Sequence, residues 1–136
     1  MKSFQRLLLA IIVVIAIGAL LGIDAPKARS DLSNLEEYRF WLAVESAIAY
    51  FVAVGIGAIV ARRSFVVPAL ALALISWSLI IHILYGIAAA AGPASYASIA
   101  KDNLIGLVLV TVSGILGAIL GRWFYKQEFE RVADAS

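Results

Sequence analysis

From Ser64 to Ala100 the chain carries no Asp, Glu, Lys or Arg. Few folds accept such a stretch. One crossing of a bilayer takes about 20 apolar residues, with a range of about 17–25. This run exceeds that, and Gly92-Pro93 divides it, because proline cannot continue a helix and restricts the residue before it. One span is then Val66–Ala91, with Pro68 tolerable in its first turn. Three other segments have the same character: Phe4–Ile23, Phe40–Ala61, interrupted only by Glu45, and Asn103–Gly121. The expected fold is an all-α integral membrane protein, a four-transmembrane-helix bundle forming one domain over residues 1–136. Its helices fall at about 4–23, 35–61, 66–91 and 103–124, with a short tail over 125–136.

Composition supports lipid as the solvent. Hydrophobic residues make up 63% of the chain and charged residues 15%. A soluble domain carries about 25% charge. A chain of this size has too little interior to hide the apolar excess from water. The first apolar segment follows a basic start, as in a signal peptide. Its charge-free run, Leu7–Ile23, is longer than the usual h-region, and Asp24-Ala25-Pro26-Lys27 is a poor cleavage site, so a retained helix is expected.

Boundary residues fit the spans. Ser33-Asn34-Leu35-Glu36 reads as a capping box ahead of the second helix, and Asp102 or Asn103 as the cap of the fourth. Tyr38, Phe40, Trp41 and Tyr96 mark one interface, and Phe4, Phe65, Trp123, Phe124 and Tyr125 the other. Lys2, Arg6, Arg62, Arg63, Arg122, Lys126 and Arg131 share one side, against Lys27, Arg29, Arg39 and Lys101 on the other. The positive-inside rule then predicts both termini in the cytoplasm. The net charge of +2 reflects this orientation, since no basic block interleaved with aromatics points to nucleic acid.

Small residues recur every four positions. Ala49, Ala53, Gly57 and Ala61 do so on the second helix, and Ser113, Gly117 and Gly121 on the fourth, with Gly114 and Ala118 alongside. Gly18 and Gly22 do so on the first. In lipid such columns let backbones approach and gain van der Waals contact. They either hold one protomer together or face a homo-oligomeric or heteromeric partner.

An ionisable residue within a span raises a functional hypothesis by default. Two occur, Glu45 and His82. Counted outward from the Arg62-Arg63-Ser64 turn, both stand roughly 27 Å along their helices, so a possible intramembrane polar pair is expected, with Asp24 and Asn103 near the same level. The opposing expectations are that Glu45 snorkels toward Trp41 and that His82 bonds to Ser78 or to backbone. Trp77, Tyr50 and Tyr85 read as packing aromatics.

No phosphate-binding loop, nucleophile elbow, zinc helix motif or catalytic carboxylate pair is present. With one histidine and no cysteine, neither a metal nor a cofactor is expected. The size and helix count are similar to those of small multidrug-resistance transporters. The first helix, however, lacks the membrane-embedded glutamate that carries proton coupling in that family. The leading functional expectation is a non-catalytic accessory or assembly subunit of a bacterial inner-membrane complex. The alternatives are a small homo-oligomeric transporter or channel using Glu45 and His82, and a membrane-resident toxin-immunity protein.

Overall fold

The computed structural model describes residues 3–24, 35–62 and 64–134, with side-chain surroundings for these except 21–24, 35–39 and 129–134. Every described element is helical: α1 (Ser3–Asp24), α2 (Leu35–Ala61), α3 (Val66–Ala91), α4 (Tyr96–Asp102) and α5 (Leu104–Asp134). Four of them, α1, α2, α3 and α5, are long and apolar enough to cross a membrane. That points to an integral membrane protein. Ser33 and Asn34 of the capping box lie outside the described residues, and the side-chain surroundings of Glu36 are not described.

The ends of the fourth span differ from expectation. The segment between the helices expected at 66–91 and 103–124 holds a short helix, α4. Asn103 does not cap α5 with its side chain. Its amide Nδ2 donates back to the carbonyl of Ile99 at 2.8 Å, closing α4, while its own carbonyl accepts from the amide of Leu107 and opens α5. Helix α5 then runs through most of the segment assigned as a tail, to Asp134. Alternating charges at Lys126, Glu128, Glu130 and Arg131 suit a solvated helix end.

The bundle centres on α2 and α5. Helix α1 packs on α2, α2 packs most extensively on α5, and α3 packs on α5. Glycine explains the closeness of the central pair. A Cβ at Gly117 would strike the carbonyl oxygen of Phe51, and one at Gly121 the carbonyl oxygen of Gly55. Both obstacles are backbone, so the two helices touch main chain to main chain. Along the seam Gly106 lies near Ala43, Gly117 beside Gly55, and Gly121 beside Ala58. Helices α2 and α5 therefore run parallel.

A second face of α2 receives α1. A Cβ at Gly57 would lie 2.5 Å from Val14 Cγ2 and 3.4 Å from the carbonyl oxygen of Ala10. Ala10, Val14, Ala53, Val54, Ala58, Ala61, Phe65, Ala69 and Ala118 form the buried cluster. Ala49 and Ser113 are partly buried. Gly18 departs from the other small residues, since nothing lies within 4 Å of where its Cβ would stand. Gly22 falls among the residues whose side-chain surroundings are not described. Gly55 carries the α5 contact and belongs to none of the columns read from the sequence.

Helix α3 meets the rest mainly at its start. Only Ala69 and Ala73 are buried on it. Phe65 is fully buried just before it and reaches within 3.3 Å of the Cβ position of Gly57. The Tyr50 hydroxyl donates to the Ala69 carbonyl at 2.5 Å. Higher up, the Trp77 indole packs on Gly106.

Candidate functional site

Contacts along α2 and α3 set the relative height of Glu45 and His82. A hairpin symmetric about Arg62–Ser64 would put Tyr50 level with residue 77. Instead Tyr50 bonds to Ala69, and Trp77 shares the Gly106 surface with Ala43. Helix α3 is therefore shifted away from the Arg62 turn by about seven residues, or about 10 Å at 1.5 Å per residue. The burial of Phe65 beside Gly57 accompanies this shift, with the start of α3 inside the bundle rather than at the turn. His82 then stands level with the first turn of α2, and Glu45 lies deeper.

The two ionisable residues have separate surroundings. Both are exposed on the surface of the chain. His82 Nδ1 lies 3.0 Å from the Tyr96 hydroxyl. The imidazole either accepts from the phenol or donates to it, according to its tautomer. The Tyr96 ring stacks on Tyr85 with centroids 3.8 Å apart and planes 11° apart. His82 and Tyr85 sit three residues apart on one face of α3, and Tyr96 is the first residue of α4. Together they pin α4 to α3 at the Pro93 end. Among the described residues no bond joins His82 to Glu45, and Glu45 has no bonded partner.

The other polar residues are locally satisfied. The Ser78 hydroxyl donates to the Leu74 carbonyl at 2.8 Å, not to His82. Asn103 bonds to Ile99. Asp24 falls where side-chain surroundings are not described. Beside the cluster, Ala88, Pro93, Ala94, Ser95, Ser98 and Ile99 line an open groove of about 430 Å³. Among the described residues no group of three His, Asp or Glu gathers in a way that would hold a metal.

Tyr96 is the member that the sequence reading missed as a partner of His82. Its aromatic character marked only an interface position. The Gly92-Pro93 break predicts a turn, but nothing in the spacing says that α4 folds back against α3. Tyr50 and Trp77 act as packing aromatics, filling the space against Gly114 and Gly106.

A double-mutant cycle checks this geometry. His82→Ala and Tyr96→Phe are expected to couple by about 0.6 kcal/mol, the mean for hydrogen bonds between membrane helices. His82→Ala and Glu45→Gln are expected to be additive within about 0.3–0.5 kcal/mol. Thermal unfolding in detergent measures both. Coupling between Glu45 and His82 larger than that between His82 and Tyr96 would refute the shifted register.

Comparison of the chain with family models, with curated proteins and with solved structures gives no match. The functional reading therefore rests on the chain's own geometry.

Proposed function

We propose that this protein is a non-catalytic membrane subunit that works by binding other membrane helices. The observation that carries the reading is the state of α3. It is a span of 26 residues, of which only Ala69 and Ala73 are buried. Its outer part presents Leu79, Ile80, Ile83 and Ile87 outward, and carries Ser78 and His82 as well. Lipid tails solvate the apolar residues well and the imidazole poorly. Tyr96 engages only Nδ1 of that imidazole; a neighbouring helix offers Nε2 a partner, which makes the outer part of α3 the preferred face for assembly.

The location that fits this role is a bacterial inner membrane, with the termini and the Arg62 turn in the cytoplasm, following the Lys and Arg distribution. A reporter fused after Ser136 should read cytoplasmic, and one inserted within Ala28–Ser33 external. The partner is either a second copy or a different membrane protein. Native mass spectrometry of the complex extracted in mild detergent tests the proposal. A defined heteromer or homo-oligomer lost on His82→Leu or Ile83→Trp is the expected result. A strict monomer that co-purifies with nothing would defeat it.

A second reading, a homo-oligomeric transporter or channel, draws on Glu45, an exposed carboxylate within a span that has no bonded partner among the described residues. It requires a flux in proteoliposomes that Glu45→Gln abolishes without loss of the fold.

A further inference from the structure

We infer that the Arg62 end of the bundle is a rim selective for anionic phospholipid headgroups. This inference rests on the membrane location and is independent of the assembly proposal. The start of α1, the end of α2 and a turn of α5 meet there. Arg6 lies one turn before Ala10, which packs on Gly57 of α2, so the start of α1 is level with the end of α2. Arg62 closes α2, and its guanidinium carbon sits 5.7 Å from the centre of the Tyr125 ring on α5. Arg122 follows Gly121, whose backbone touches that of Gly55, and Lys126 stands one turn further along.

The same close packing that joins α2 and α5 thus gathers four cationic side chains within about one helical turn of each other along the bundle. Among the described side chains at that end, Glu128 is the acidic one, and neither it nor Arg6, Arg122 or Lys126 is bonded to an opposite charge. Arg122 and Lys126 are four residues apart on one face, where like charges repel. At 3.6 residues per turn Glu128 lies on a face of α5 roughly opposite Lys126. The exposed rings of Phe4, Trp123 and Phe124 surround this level and suit the depth of lipid headgroups.

Arg62 adds a second observation. Its φ is 55°, in the left-handed region that glycine or asparagine adopts more readily at a helix end. A cationic side chain stands at a position where the backbone favours a small one. Phosphodiesters of anionic lipids, held in the plane of the rim, supply counter-charge to Arg6, Arg122 and Lys126.

The test uses the purified full chain with phosphatidylglycerol or phosphatidylcholine, reading lipids retained in native mass spectra and the shift in thermal unfolding. Phosphatidylglycerol is expected to be retained preferentially and to raise the unfolding temperature more. Neutralising one cation should lower the retention ratio by up to about fivefold, the factor for one basic residue near a membrane surface. The variants are Arg62→Asn, which keeps a left-handed residue, Arg122→Gln and Lys126→Gln. Arg122→Lys, which keeps the charge, should behave as wild type. Unchanged unfolding in phosphatidylcholine shows that each variant is folded. An equal retention ratio in wild type and the triple variant would overturn the inference. So would equal stabilisation by inorganic phosphate alone, which would mark a free-anion site instead.

Discussion

Gly117→Leu is expected to abolish the folded bundle, and Gly→Ala changes across the chain should rank by what each new Cβ meets. At Gly117 and Gly121 the obstacle is the carbonyl of Phe51 or Gly55. A main-chain atom inside a helix cannot rotate away, so the helices must separate. Overpacking against movable neighbours costs about 1–3 kcal/mol, and these two sites should lie at or beyond the upper limit even for alanine. At Gly114 the obstacle is the Tyr50 ring, 2.5 Å away. The ring can move, but only by giving up its hydroxyl bond to Ala69. At Gly106 the far edge of the Trp77 indole lies 3.0 Å away and can yield. At Gly18 and Gly86 nothing is within 4 Å, and alanine there should gain up to about 1 kcal/mol of helix propensity. Thermal unfolding and size-exclusion profiles of the series give the order. Gly18→Ala as harmful as Gly117→Ala would break the link between the glycines and the packing.

Much of this was legible in the sequence because the physics is local. Spans follow from apolar length, and the break at Gly92-Pro93 follows from proline. The column Ser113–Gly117–Gly121 announces a close approach without saying to what. Its partner on α2 is the Gly55 face, whereas Gly57 serves α1. Two glycines separated by one residue point to different sides of a helix, and a reading by four-residue columns collects only one of them.

The pairing of Glu45 with His82 assumed that a short turn keeps two helices in symmetric register. Register is decided by packing, and here the contacts of Tyr50, Phe65 and Trp77 agree on a shifted one. Tyr96 was hidden for a related reason: a contact made by folding back across a turn leaves no period in the sequence. The outcome moves the histidine toward the Pro93 end and leaves the glutamate deeper and unpaired.

Phe65→Ala is the second change with a large expected effect. Phe65 is fully buried, and with Val54 it is among the largest side chains wholly enclosed by the fold. It fills the space where α2, α1 and the start of α3 meet, beside Gly57 and Ala69. Truncating a buried phenylalanine to alanine costs about 3–5 kcal/mol where the cavity cannot collapse. Glycine and alanine already line this site, so few side chains are left to move in. Lipid tails reach only the outside of the cluster. The loss should also be specific in kind. With the ring gone, the start of α3 loses its largest buried contact and keeps the Tyr50 bond to Ala69, so α3 can slide back toward the turn by part of its shift of about 10 Å. A cysteine pair at Tyr50 and Ala69 on a wild-type background is expected to be bridged readily by a short bifunctional thiol reagent, because a tyrosine side chain's length, too great for a direct disulfide, separates the two backbones. On the Phe65→Ala background the cross-linking rate should fall severalfold. Phe65→Leu, which keeps most of the volume, should retain it. If Phe65→Ala lowers stability while leaving the cross-link untouched, the ring contributes packing energy but does not set the register, and another contact of α3, with Trp77 the first candidate, must do so.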